Sequence, residues 1–188
     1  MNLTRGKVYY DKNIKELLYD ITFPRVEMWA VKDTSLYKIR NNILTERISI
    51  PSVNEFTVFH LSLNSGLNNF GLTNSVYRIN KVEKKGNLVL SYWKIPEKAG
   101  LTLDYVVVAK KNNRLESVVW VGKDSKIISR QFFRNYMRID AFEFPGQIIQ
   151  ILYDANGKEN YQVTDFKNIR VNSFGNNDKY RCMLLNIR

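Results

Sequence analysis

One segment of this chain repeats its apolar residues at helical spacing, whereas most of the remainder is patterned as strands. Between Ser52 and Phe70, large apolar side chains recur every three or four residues; they are Phe56, Phe59, Leu63, Leu67 and Phe70. Ser52 and Glu55 fit a capping box, and Gly71 stands where a helix is expected to end. The sequence therefore predicts one amphipathic helix, and its aromatic face needs a sheet that curls around it. Such a sheet can also enclose an apolar ligand.

Short strand-like stretches separated by turn residues make up most of the other residues. They are Lys7–Tyr10, Glu16–Thr22, Val26–Lys32, Ser35–Arg40, Ser75–Val82, Leu88–Trp93, Thr102–Ala109, Arg114–Val121, Lys126–Phe133, Gln147–Tyr153, Glu159–Phe166 and Ile169–Val171. Asn135–Phe142 fits either a strand or a short connection. Because turns and not crossover helices join these stretches, we predict an α+β, mainly β fold with an antiparallel sheet. No linker or repeat interrupts the pattern, so one domain over residues 1–188 is expected.

The chain is strongly basic, with 29 Lys+Arg against 18 Asp+Glu and a formal net charge of +11. Such a surplus favours contact with nucleic acid, anionic lipid head groups or an acidic protein. No block of five or six like charges occurs, and Lys84-Lys85 and Lys110-Lys111 stand beside Gly86-Asn87 and Asn112-Asn113. These pairs are predicted to lie on solvated hairpin tips. The apolar runs are too short for a membrane span.

The residues that usually carry catalysis are scarce. His60 is the one histidine and Cys182 the one cysteine, which excludes an internal disulfide, an ordinary zinc cluster and a Cys/His nucleophile pair. His60 is interpreted as a packing residue of the predicted helix. We expect no catalytic residue, metal or cofactor, although a hydrolase with two carboxylates stays an alternative without positive support.

One stretch resembles the basic and aromatic pattern of nucleic-acid-binding surfaces. Arginines and aromatic residues alternate irregularly over residues 130–138. We interpret it as a strand with Phe132 facing the core and the arginines in solvent. No nucleic-acid partner is expected, and a basic nucleic-acid-binding module is kept as an alternative.

The first strands resemble those of a known family. The stretches Glu16–Pro24, Val26–Asp33 and Leu36–Ile39 look like the early strands of the periplasmic lipoprotein-carrier family usually called LolA. Gly6–Tyr10 is similar to the glycine-led strand that opens the family's sheet. Farther along, Leu61–Gly71 resembles the family's interior helix. Three further stretches resemble the family's closing strands: Leu115–Val121, Lys126-Ile127-Ile128 and Phe144-Pro145.

Two features depart from the family pattern. The family begins with a signal peptide and an amphipathic helix, whereas Met1–Gly6 runs straight into a strand-like stretch. Many carriers also have an Arg-Pro pair before the second strand, where this chain has Asn13 and Ile14. The resemblance therefore does not imply that an arginine gates the ligand here.

The resemblance implies a single curved antiparallel sheet, an incomplete barrel or half-barrel, wrapped over a helix or helices. It also implies a periplasmic, non-catalytic carrier that chaperones the acyl chains of a lipoprotein or lipid toward the outer membrane. A membrane-protein donor and acceptor would be its partners, and a sensor of lipid or lipoprotein with the same fold is the alternative. The expected ligand-binding residues are Tyr19, Trp29, Phe56, Phe59, Leu63, Leu67, Phe70, Trp93 and Trp120. The ligand and the oligomeric state are left open.

Overall fold

A computed structural model describes residues 2–49, 57–96 and 103–180. Within these ranges the chain forms twelve β-strands, a short α-helix, α1, over Val58–Leu63, and a helical turn at residues 177–180. The strands are β1 Arg5–Asp11, β2 Glu16–Phe23, β3 Glu27–Lys32, β4 Ser35–Arg40, β5 Ile43–Ser49, β6 Arg78–Lys85, β7 Leu88–Lys94, β8 Leu103–Lys111, β9 Arg114–Gly122, β10 Ile127–Ile139, β11 Phe142–Tyr153 and β12 Glu159–Asp165. Two 3₁₀ turns, Leu67–Asn69 and Leu72–Asn74, follow the helix.

Every strand pairs antiparallel with its neighbour along the chain inside its own sheet. β1 to β5 form a five-stranded sheet in sequence order, and β6 to β12 form a seven-stranded sheet in sequence order. Neither sheet closes on itself within the described residues. The prediction of a mainly β, antiparallel, incompletely closed fold with little helix is therefore confirmed, with its strands divided between two hydrogen-bonded sheets.

The chain divides into two compact units. The first comprises residues 1–60 and 171–188, and the second comprises residues 61–170. We describe each unit by itself, and the single domain over residues 1–188 stays a prediction.

One core cluster of the first unit lies on one face of its sheet. Leu18, Ala30 and Tyr37 are register neighbours across β2, β3 and β4, and all three are buried. Tyr180, from a helical turn at residues 177–180, packs against them. Lys179 in the same turn holds its ammonium 4.7 Å from the Tyr9 ring centroid. The helical turn thus anchors the C-terminal part of this unit to its sheet.

The core of the second unit combines its sheet with the segment that follows α1. Buried sheet residues include Val106, Val108, Leu115, Val118 and Phe133. The segment contributes Leu67, Phe70 and Leu72, of which Leu72 is fully buried. Burying such side chains stabilises the unit by roughly 1.5–3 kcal/mol each.

The predicted continuous helix over Ser52–Phe70 is wrong. Helix α1 ends at Leu63, and Ser65 adopts a left-handed φ of 55°. The Gly66 amide then donates to the Leu61 carbonyl at 2.9 Å, which closes the helix. Asn64-Ser65-Gly66 are residues that favour turns, and their local hydrogen bonding overrides the apolar spacing. The proposed capping box of Ser52 and Glu55 lies outside the described residues.

The strand predictions are largely confirmed, with differences where polar turns are hard to read. β5 is absent from the prediction, although Asn41-Asn42, both with positive φ, is a typical two-residue hairpin turn. Ile169–Val171 does not form a strand. The ambiguous stretch Asn135–Phe142 contains the end of β10, a turn and the first residue of β11.

Candidate apolar binding site

An aromatic cluster on one face of the seven-stranded sheet contains three of the predicted ligand-binding residues. In the strand register Trp93 lies opposite Val106, and Val106 lies opposite Trp120, so all three side chains share a face. The Phe70 ring packs edge-on against Trp120, with centroids 6.0 Å apart. Phe70, Trp93 and Trp120 are therefore brought together by pairing between strands and by one loop.

The Phe70 ring reaches this face because its backbone takes an unusual conformation. Phe70 ends the first 3₁₀ turn with φ 55°, and its amide donates to the Leu67 carbonyl at 3.2 Å. A left-handed aromatic residue is strained, and the burial of its ring offsets that cost. Gly71 follows at φ 71°, at the predicted helix stop, and caps the second 3₁₀ turn. The segment is thus folded to direct an aromatic ring at the sheet.

Two residues that the sequence analysis does not select complete the cluster. Phe133 is 2% exposed and lies 6.0 Å from Phe70, and Tyr77 lies 6.1 Å from Trp120. Burial raises the pKa of the Tyr77 hydroxyl. The alternation of apolar and polar residues along its strand is the signal that could have identified Phe133 as a core residue. The adjacent Phe132-Phe133 pair makes that signal ambiguous, because it does not show which of the two rings faces the core.

An open cleft of about 490 Å³ adjoins the cluster. Tyr77 and Trp93 form part of its lining together with Arg78 and the 55% exposed Ile79; the remaining lining residues are Thr73, Asn74 and Ser75. The Trp93 indole N–H donates to Ser91 Oγ at 2.9 Å, which orients its ring. The cleft thus offers apolar walls and one guanidinium group.

The Arg78 side chain is held at this cleft by the backbone. One of its terminal nitrogens, Nη1, donates to the carbonyl oxygens of Ser75 and Tyr77 at 2.7 and 2.8 Å. These bonds fix the guanidinium beside the apolar wall. An arrangement of this kind suits a ligand with an apolar chain and a negatively charged or carbonyl-bearing head.

The other predicted ligand-binding residues are distributed between the two units. Leu63 ends helix α1 half-buried and Leu67 is buried in the core of the second unit. Tyr19, Trp29 and Phe59 lie in the first unit, and Phe56 lies outside the described residues. The structure thus groups Phe70, Trp93 and Trp120 and places Tyr19 and Trp29 together as a second pair.

Tyr19 and Trp29 face each other across β2 and β3 as register partners. Burial raises the pKa of the Tyr19 hydroxyl. The Lys38 ammonium lies 5.4 Å from the Trp29 ring centroid, and the buried Trp29 Nε1 has no hydrogen-bond partner among the described residues. This pair forms an aromatic patch with one unused donor.

Helix α1 meets the first strand through Phe59 and His60. The Phe59 ring stacks on Tyr10 with centroids 6.2 Å apart, and the Tyr10 hydroxyl lies 2.8 Å from His60 Nδ1. His60 therefore contributes to packing and hydrogen bonding, as the sequence analysis expects.

The basic and aromatic stretch over residues 130–138 is a strand, but the predicted core residue is wrong. Phe133 fills the core, whereas Phe132 is half-buried on the opposite face beneath Arg134, 5.4 Å away. Arg130 similarly lies 5.6 Å from the Tyr153 ring centroid. One face of each ring is therefore covered by an arginine of the same sheet.

Neither a membrane-spanning helix nor a metal cluster occurs in residues 2–49, 57–96 and 103–180. No helix there is long and apolar enough to span a bilayer. No group of three or more His, Cys, Asp or Glu side chains in these ranges is placed to hold a metal ion.

The fold is similar to that of known LolA-type structures. A LolA superfamily protein from Nitrosomonas europaea aligns over 90% of this chain and 80% of its own, with a TM-score of 0.52 and 14% identity. A domain from Vibrio parahaemolyticus described as a putative outer membrane lipoprotein-sorting protein domain aligns over 87% and 76%, with a TM-score of 0.50 and 15% identity. This chain therefore has a LolA-like fold.

A third solved structure extends this similarity. A DUF1329 family protein from Desulfovibrio piger ATCC 29098 aligns over 92% of this chain and 78% of its own, with a TM-score of 0.53 and 13% identity. No family model matches the sequence, and no curated protein sequence matches it. At these identities the similarity shows the fold.

Proposed function

We propose that this protein is a non-catalytic periplasmic carrier that shields the acyl chains of a lipoprotein or lipid and passes them toward the outer membrane. The observation that carries the proposal is the coincidence of a LolA-like fold with an aromatic face and an adjoining open cleft. We further propose that residues 1–188 act as one LolA-like domain, and that a membrane-protein donor and acceptor are its partners. No cofactor is needed for this activity.

The physical basis of such transfer is burial without chemistry. Each methylene that leaves water for an apolar surface contributes about 0.8 kcal/mol. Trp93 and Ile79 would contact the acyl chain of the ligand, and the Arg78 guanidinium would lie near the polar end of the ligand. Release then requires only an acceptor with a comparable apolar surface.

The first test is identification of a bound lipid. Native mass spectrometry of the purified protein, with organic extraction and lipid analysis, is expected to detect an acyl lipid or lipopeptide. Ile79→Asp is expected to reduce the recovered lipid, because it places a charge on an apolar wall of the cleft. An empty protein that also fails to bind a fluorescent fatty-acid probe contradicts the proposal.

A second test localises the ligand to the cleft. A fatty acid brominated along its chain quenches tryptophan fluorescence at short range, and Trp93→Phe is expected to remove much of that quenching. Ile79→Asp is expected to weaken probe binding at least about tenfold, since a charge replaces an apolar wall. Val163→Asp is the matched control, because Val163 is a β-branched residue of edge strand β12 with a similar exposure of 53%. Equal loss in the two variants would argue against the cleft.

A further inference from the structure

Two lysine-bearing hairpin turns meet at one end of the seven-stranded sheet. Strand β6 ends in Lys84 and Lys85, just before one hairpin turn, and strand β8 ends in Lys110 and Lys111, just before the other. In the strand register Val89 lies opposite both Lys84 and Lys110. Lys84 and Lys110, which are distant in sequence, therefore lie on one sheet face on either side of Val89.

The second row of the register repeats this arrangement. Leu88 lies opposite both Lys85 and Lys111, and Lys111 in turn lies opposite Arg114. We call the end of the sheet that carries Lys84, Lys85, Lys110 and Lys111, with Val82, Leu88 and Val89, the lysine end. Because successive strand residues point to opposite faces, the three strands present one row on each face of this end, and in each row an apolar side chain lies between two lysines.

Most of this positive charge is not neutralised nearby. Lys85 pairs with Glu83 at 3.3 Å, whereas Lys84, Lys110 and Lys111 have no ion pair among the described residues. Arg114 is engaged by Glu143 at 2.6 Å. Three lysines of the lysine end therefore remain available to an anionic partner.

Apolar side chains are exposed among these lysines. Val82 is 57% exposed and Val89 is 38% exposed. Val82 and Lys84 are two residues apart on β6, so they share a sheet face with Val89 and Lys110. A face that mixes exposed valines with lysines has the composition of a membrane-interface surface.

We propose that the lysine end docks onto a bilayer that contains anionic lipids. The lysine ammonium groups contact lipid phosphates, while the exposed valines reach the boundary of the acyl region. Residues 84–89 and 109–114 contain no aromatic ring and one arginine, so they offer no stacking surface for nucleic-acid bases. The proposal extends the carrier function by naming a membrane surface, but it does not require a bound cargo.

The test is flotation of the full chain with vesicles. Vesicles of phosphatidylethanolamine and phosphatidylglycerol are expected to bind the protein at low salt, and vesicles of phosphatidylcholine alone are not. Because added salt shortens the Debye length from about 10 Å at 0.1 M to about 3 Å at 1 M, binding should fall as salt rises.

A charge-matched pair of variants distinguishes the lysine end from the overall charge. Lys84→Gln, Lys110→Gln and Lys111→Gln together lower the net charge from +11 to +8, since three cations are removed. The control carries Lys94→Gln, Lys123→Gln and Lys158→Gln, which make the same change at the opposite end of the sheet. The first triple is expected to weaken binding about a hundredfold, at roughly fivefold per lysine, and the control far less.

Several results would overturn the proposal. They are failure of the wild type to bind anionic vesicles, equal binding to phosphatidylcholine, and equal loss in both triples. Retention of a single-stranded oligonucleotide through the lysine end, with no vesicle binding, would also overturn it. Circular dichroism and thermal melting verify that both triples fold. The flotation test uses lipid-free protein. If no bound lipid is found in the purified protein, the carrier proposal is therefore contradicted, but the vesicle-binding result still stands.

Discussion

The Tyr10 hydroxyl and His60 Nδ1 lie 2.8 Å apart, and this hydrogen bond ties strand β1 to helix α1. The Phe59 ring stacks on the same tyrosine, so two consecutive helix residues hold one strand residue. Desolvation by burial is the main reason that the pKa of Tyr10 is raised, with Asp11 adding a smaller electrostatic contribution. The Tyr10 hydroxyl in this hydrogen bond is therefore neutral over the whole physiological pH range.

Tyr10→Phe is expected to destabilise the protein by about 1 kcal/mol, because it removes one half-buried hydrogen bond and keeps the ring. Chemical denaturation measured by circular dichroism checks this. Tyr105→Phe is the control, since the Tyr105 hydroxyl has no hydrogen bond within the described ranges. If both variants lose the same stability, the Tyr10–His60 bond has no special role.

Phe70→Ala is expected to cost about 3–5 kcal/mol, because the ring is 4% exposed and packs against Trp120 and Phe133. Thermal unfolding measures the loss, and a shift in tryptophan emission reports the changed surroundings of Trp120. Phe174→Ala, at a residue that is 94% exposed, should be close to neutral. A stable Phe70→Ala variant with impaired lipid binding would instead identify Phe70 as a ligand-lining residue and not as core.

Gly6→Ala is expected to destabilise the first unit by about 1–3 kcal/mol for a steric reason. A Cβ at this position would clash with the Asp20 carbonyl oxygen, next to the irregularity where β1 meets β2. Gly86→Ala is the control that distinguishes a steric clash from a strained backbone conformation. Gly86 has φ +59°, and an added Cβ there would meet no atom within 4 Å among the described residues. That control should lose only about 1 kcal/mol. Equal unfolding free energies for the two variants would refute the steric explanation.

Glu83 is expected to titrate near pH 2. Hydrogen bonds from Lys81, Tyr92 and Lys85 lower the pKa of its carboxyl from 4.5 to about 2, the Lys81 bond being the strongest cause. Because the folded pKa lies below the unfolded value, this stabilisation is complete above about pH 4.5 and disappears as the pH falls toward 2. Carbon-detected NMR titration measures the midpoint. Lys81→Met should raise it, and an unchanged midpoint would contradict the assignment.

Part of the fold is predictable because it depends on local patterns. Alternation and turn residues locate strands such as Ser35–Arg40, whose predicted bounds match the structure. The predicted helix is too long, since the spacing of apolar residues gives no sign of the left-handed turn at Ser65. Asn41-Asn42 carries a hairpin signal that the prediction does not use.

The candidate site is only partly predictable. Phe70, Trp93 and Trp120 stand out as large apolar residues, but nothing local indicates that Val106 aligns the two tryptophans on one face. The sequence analysis places Phe132 in the core in place of Phe133, since two adjacent aromatic residues leave undecided which of them faces the core.

By itself, the sequence determined the antiparallel, mainly β class, most turns and the basic charge, because these depend on residue types and on neighbours within a few positions. Only the tertiary structure decided which aromatic rings cluster and that Lys84 and Lys110 flank Val89. The physical reason is register. A shift of one residue between strands moves every side chain to the other face, and the energies that fix the register come from packing between residues far apart in the chain.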